Sequence, residues 1–101
     1  MPIFKLRLEP TYYSRGFFNV RVGFDDNVRP TPGPITLLLG KNNQHIAGHV
    51  DRSANRNRTA RIFGRAPLKE WFQTHFALYD IVDVDFLSFD IIRLREPAGS
   101  C

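Results

Sequence analysis

Residues 51–61 read DRSANRNRTAR, and within that stretch Arg52, Asn55, Arg56, Asn57 and Arg58 fall inside seven residues. These side chains suit hydrogen bonding to a polynucleotide. Arg can donate two bonds to guanine O6 and N7, and Asn can bond adenine bidentately. Arg also makes forked contacts with phosphate. The plainer alternative is a solvated turn, but such a turn would have no need of Arg in place of Lys. A second segment, residues 11–16 (TYYSRG), offers Tyr12, Tyr13, Ser14 and Arg15. Its hydroxyls can reach phosphates and Arg15 a base edge, while Tyr13 equally suits packing beneath the segment. Asn19 and Arg21 lie on the polar side of the strand that follows. Arg61 and Arg65 extend the basic run toward a helix. A cation at Arg65 opposes the dipole of that helix, and a phosphate bound at its terminus would relieve the conflict.

Catalytic patterns are missing. His45 and His49 lie four apart, but in a strand-like setting beside Gly48, without the third ligand a metal needs. No glycine-rich phosphate loop and no Gly-x-Ser-x-Gly elbow occurs. Asp83 and Asp85 share one face of a strand, which reads as a solvated face. No acid is followed by the acid-x-Lys triplet of metal-dependent nucleases. The chain is therefore expected to need no cofactor and not to be an enzyme by itself.

The 101 residues suffice for one domain, and 43% hydrophobic residues with nine Phe suffice for an aromatic-rich core. Residues 1–95 read as that domain and 96–101 as a tail. The lone Cys101 cannot pair within the chain, which fits a reducing compartment. No apolar run approaches the ~18 residues of a membrane span, and no secretion signal is visible. Net charge is +4, unevenly distributed: residues 52–65 hold five Arg and no acid, and residues 80–90 hold four Asp and no base. A positive and a negative face can thus stand apart.

The positioning elements follow from periodicity. Residues 3–8 alternate and predict a strand ended by Pro10; residues 18–22 alternate likewise. Residues 23–34 read as a connector with one helical turn near 25–28. Strands are expected over 35–39, as a central strand, and over 45–50, 60–63, 81–86 and 89–94. Leu68, Trp71, Phe72, His75 and Phe76 predict the one main helix, opening at Pro67 with all five on its core face. About seven short strands, with turns roughly every ten residues, predict a mainly β chain whose antiparallel sheet closes or nearly closes.

The stretch FGRAPLKEWFQTHFALYDIVDVDFL (residues 63–87) and the element order around it resemble the B3-like DNA-binding pseudobarrel, a seven-stranded open barrel. The match covers about residues 4–94 and is nearest to the recognition domains of restriction endonucleases of the EcoRII type. Asp80 matches the family's turn acid, with Tyr79 where the family has Gly. The resemblance implies two arms, residues 11–16 and 51–61, projecting from the same side into the major groove of double-stranded DNA. It also implies a bacterial, cytoplasmic effector module, monomeric when isolated, whose cleavage belongs to a separate nuclease domain, with short targets such as CCWGG. Two other readings stay open: a single-strand or RNA binder stacking bases on Phe17 and Tyr79, and a protein-interaction module using the acidic strand.

Overall fold

The computed structural model describes residues 3–53 and 59–96. Alternating apolar positions build seven strands: β1 (Ile3–Arg7), β2 (Phe17–Asn19), β3 (Gly33–Leu39), β4 (Gln44–Asp51), β5 (Arg61–Phe63), β6 (Ile81–Ser88) and β7 (Ile91–Leu94). They form one curled sheet in the order β1-β6-β7-β3-β4-β5-β2, an open half-barrel with β1 and β2 at its edges. The chain is mainly β, with one main helix, α2 (Arg65–His75), and a 3₁₀ helix at Val22–Asn27. No helix among the described residues is long and apolar enough to cross a membrane.

Inward-facing side chains fill the barrel. Phe18, Leu37, Ile62 and Ile92 are fully buried from the strands, and Leu68 and Phe72 from α2. Phe24 of the 3₁₀ helix packs against this core, its ring centre 5.3 Å from that of Phe4 and 6.1 Å from that of Phe86. Full burial of each such side chain contributes about 1.5–3 kcal/mol.

Several sequence expectations need correction. The sheet is not wholly antiparallel, because β3 and β7 pair in parallel, from Thr36↔Ile91 to Leu39↔Leu94. Residues 11–16 are not a loop but most of a short helix, α1 (Pro10–Arg15). Pro10 does not simply stop β1; it pre-sets the first helical turn. The strand expected to reach Val22 ends at Asn19, and Val22 opens the 3₁₀ helix. Helix α2 begins two residues before Pro67, at Arg65. His75 is exposed, and the core face closes on Phe76. Tyr79 keeps the left-handed conformation that favours Gly (φ 71°), and its N–H donates to the Leu8 carbonyl at 2.9 Å. Asp80 supports that turn by accepting the Ala77 N–H at 2.9 Å.

Gly16 ends α1 in the left-handed region (φ 75°). Its carbonyl accepts the N–H groups of both Gly64 and Arg65 at 2.9 Å, joining the end of α1 to the start of α2. A Cβ on Gly16 would run into the Arg65 carbonyl oxygen. Gly16→Ala should therefore cost about 2 kcal/mol or more, from backbone strain plus the clash. A urea titration should show a lowered midpoint at unchanged slope.

Candidate nucleic-acid interface

Register fixes what the outer side of the β4–β5–β2 ribbon displays. Asp51, Arg61 and Asn19 stand opposite one another in one row, and His49, Phe63 and Phe17 in the next. Their neighbours Val50, Ile62 and Phe18 point inward and are buried. The Arg61 Nε–H donates to Asn19 Oδ1 at 2.9 Å, and its guanidinium lies 4.7 Å from the Phe17 ring centre. Phe17 is itself wedged between Tyr12 and Phe63, with ring centres 5.5 and 5.6 Å away.

Of the two expected arms, the first does not project. The Tyr13 hydroxyl donates to the Phe76 carbonyl at 3.0 Å, Ser14 Oγ donates to the Pro10 carbonyl at 2.8 Å, and Tyr12 rests on Phe17. Arg15 is exposed and has no partner among the described residues. Because β2 and β5 are antiparallel, α1 enters the ribbon at Phe17, beside Phe63, whereas the 51–61 segment enters at Arg61. The two segments thus join the ribbon at opposite ends. Asn55, Arg56, Asn57 and Arg58 lie outside the described residues.

Arg52 serves the fold. Its guanidinium donates to Asp25 Oδ2 at 2.7 Å and to the carbonyls of Val28 and Arg29 at 3.2 and 2.8 Å, and its side chain is 15% exposed. Asp25 also accepts the Ala60 N–H at 2.8 Å, so this ion pair staples the 3₁₀ helix to both ends of the 51–61 segment. The terminus of α2 is a poor phosphate site, contrary to expectation. Gly16 already holds two of its amides, and Pro67 has none. Arg65 is nevertheless exposed, at a left-handed φ of 58° that costs about 1 kcal/mol or more.

Three of the four acids of residues 80–90 are paired with cations of the protein. Asp83 pairs with Lys5 at 2.7 Å, and Asp90 lies 3.8 Å from Arg29. Asp85 is buried rather than solvated, and it accepts bonds from Arg93 at 2.8 Å and Arg95 at 2.7 Å. Burial pushes the Asp85 carboxyl up, but hydrogen bonds and charge from Arg95 and Arg93 outweigh it and hold the group below the ordinary carboxylate range. These pairings empty the acidic strand of free charge. By contrast, Arg15, Arg21, Arg65 and Lys69 are exposed and have no partner among the described residues. Arg15 and Arg21 bracket β2, and Arg65 and Lys69 lie beside Gly16 at the start of α2. Lys69 was not foreseen; its signal is the i, i+4 pairing of like charges with Arg65, which a helix carries at a small cost.

Among the described residues no three His, Cys, Asp or Glu side chains gather to hold a metal. His45 and His49 are exposed on the outer side of β4. Of the stacking candidates, Phe17 is 8% exposed, whereas Tyr79 is exposed with Arg7 4.7 Å from its ring centre. Comparison with protein-family models, with curated proteins and with solved structures gives no match.

Two stability measurements check these assignments. Arg52→Ala should cost about 2–3 kcal/mol, since it orphans Asp25 and two carbonyls, whereas Arg15→Ala should stay within about 0.5 kcal/mol. For Asp85, a depressed folded-state pKa means its stabilisation is present above about pH 4. That stabilisation is lost as pH falls through the folded value. Asp85→Asn should lower stability at neutral pH and flatten this acid limb, read by denaturation at pH 2–7.

Proposed function

We propose that this chain binds double-stranded DNA through the outer side of the β4–β5–β2 ribbon and the cations that rim it. The observation that carries the reading is electrostatic. Most other described cations are paired with acids, and the unpaired ones, Arg15, Arg21, Arg65 and Lys69, gather around β2. Arg56 and Arg58 add to the basic segment that feeds the same ribbon. Unpaired cations surrounding a hydrogen-bonding strip, with Asp51, Arg61 and Asn19 in one row, suit a polyanion whose bases are read between phosphates. The resemblance of residues 63–87 supplies the rest of the reading: a recognition module of a bacterial restriction endonuclease, with cleavage in a separate domain. Packing of the rims around β2 takes the place of two projecting arms in this mechanism.

The duplex reading is favoured over stacking of single strands because Phe17 is covered and Arg7 already lies over one face of Tyr79. It is favoured over an acidic docking strip because Asp83 and Asp85 are neutralised.

Fluorescence anisotropy with labelled duplex and single-stranded oligonucleotides tests it. With about five phosphate contacts, log affinity should fall against log salt with a slope of about −4 to −5. Arg56→Ala or Arg58→Ala should cost about 1–3 kcal/mol, with relaxed base choice if the residue reads guanine and uniform weakening if it holds phosphate. Arg65→Ala should weaken all duplexes alike. No binding to any duplex at low salt, or tighter binding to single strands, overturns the proposal.

A further inference from the structure

The cations of the rim and Arg61 differ in a way that separates two tasks. Arg15, Arg21, Arg65 and Lys69 stand in solvent with no partner among the described residues. Each is free to follow a phosphate, and each must be ordered on binding. Arg61 is ordered beforehand. Its Nε is tethered to Asn19 Oδ1 at 2.9 Å, and its plane is held 4.7 Å from Phe17. Phe17 is in turn fixed by Tyr12 and Phe63. A side chain ordered in advance loses little freedom when it binds, and fixed geometry is what discrimination between bases requires.

Charge points the same way. Asp51 stands directly across the ladder from Arg61, and its Oδ1 is held by the Ser53 N–H and Oγ at 2.7 Å. A phosphate brought to Arg61 would be repelled by the carboxylate of its cross-strand neighbour. A guanine edge would be repelled far less, because its N7 and O6 acceptors are neutral. The row Asp51–Arg61–Asn19 therefore sets an acceptor, a fork of donors and an amide side by side on the strip that the rim surrounds.

From this we infer that Arg61 is the residue that reads a guanine in the major groove, with Asn19 as its positioning residue, while the four rim cations hold phosphates without regard to sequence. The inference rests on the duplex-binding reading above and assigns roles within it. Lys in place of Arg61 keeps the charge but loses the planar fork that makes the bidentate contact.

The test is selection from a pool of random duplexes with the unmodified chain, Arg61→Lys and Asn19→Ala, followed by anisotropy on an enriched and an unrelated duplex. The unmodified chain should enrich a guanine at a fixed position. Arg61→Lys should reduce the preference at that one position by about tenfold or more, with preferences elsewhere retained and affinity for the unrelated duplex changed far less. Asn19→Ala should blur the same position and no other, and it carries the test if the Lys variant does not fold; thermal unfolding reports which variants do. Survival of every guanine preference in Arg61→Lys overturns the inference, as does loss at every position together or binding without any preference. Absence of duplex binding by the unmodified chain removes the DNA reading itself, and this inference with it.

Discussion

Much of the arrangement hangs on the carbonyl of Gly16. In the left-handed conformation it turns back and accepts two amides, from Gly64 and Arg65. That contact ends α1, starts α2 and sets β2 beside β5 in one stroke. Helix α1 is only six residues long, too short to persist by itself. It is held by this lock, by Tyr13 reaching the Phe76 carbonyl, and by Gln73 donating to the Tyr13 carbonyl at 2.9 Å. The same lock draws Arg15, Arg65 and Lys69 to one end of the ribbon, although Arg15 and Arg65 are fifty residues apart in sequence. Like charges brought together by the backbone have no partner to satisfy them, which leaves their demand for an anion outside the protein.

The rest of the surface shows the contrast. The β1–β6–β7 side also carries charges, but it pairs them with one another. Lys5 meets Asp83, and Arg93 and Arg95 converge on one buried carboxylate. Exposed pairs of this kind add little to stability. Asp85 is different, because its burial would be costly without both guanidinium partners. A net charge of +4 is modest as a total. Its effect is local, since pairing cancels one side of the barrel and leaves the other uncovered.

The strands were legible because alternation is a property of neighbours in sequence, and so was α2, whose apolar spacing repeats over three turns. The short elements were not. Six residues of α1 show no period, and Glu9 gives it no side-chain cap to signal its start. Pro10, a strand breaker in one reading, is a helix opener in the other, and only the amides accepted by Gly16 decide between them. Arg52 looked like its neighbours in a basic run. Its partner Asp25 is 27 residues away, so the pairing that removes it from the candidate surface was invisible. The reverse holds for Asp85, where alternation placed the residue correctly on the outer side, but Arg93 and Arg95 close over it. Arg61 and Asn19 were marked by residue type; the contact between them needed the register of β2 on β5.

A plainer account of the unpaired cations must also be weighed. Strand β2 is a free edge, and exposed sheet edges are commonly guarded by short length and by charged residues that deter pairing with another chain. Three residues flanked by Arg15 and Arg21 meet that description. Guarding an edge, however, calls for no more than the two flanking charges, and Lys serves it as well as Arg. It gives no reason for Arg65 and Lys69, which lie on α2 rather than on the edge strand and repel each other at i, i+4. Nor does it explain why Arg65 is kept at a left-handed φ where Gly or Asn would sit with less strain. Edge protection accounts for half of the rim. A polyanion lying across the ribbon accounts for all of it, and it also gives a use to the tethered guanidinium at the centre.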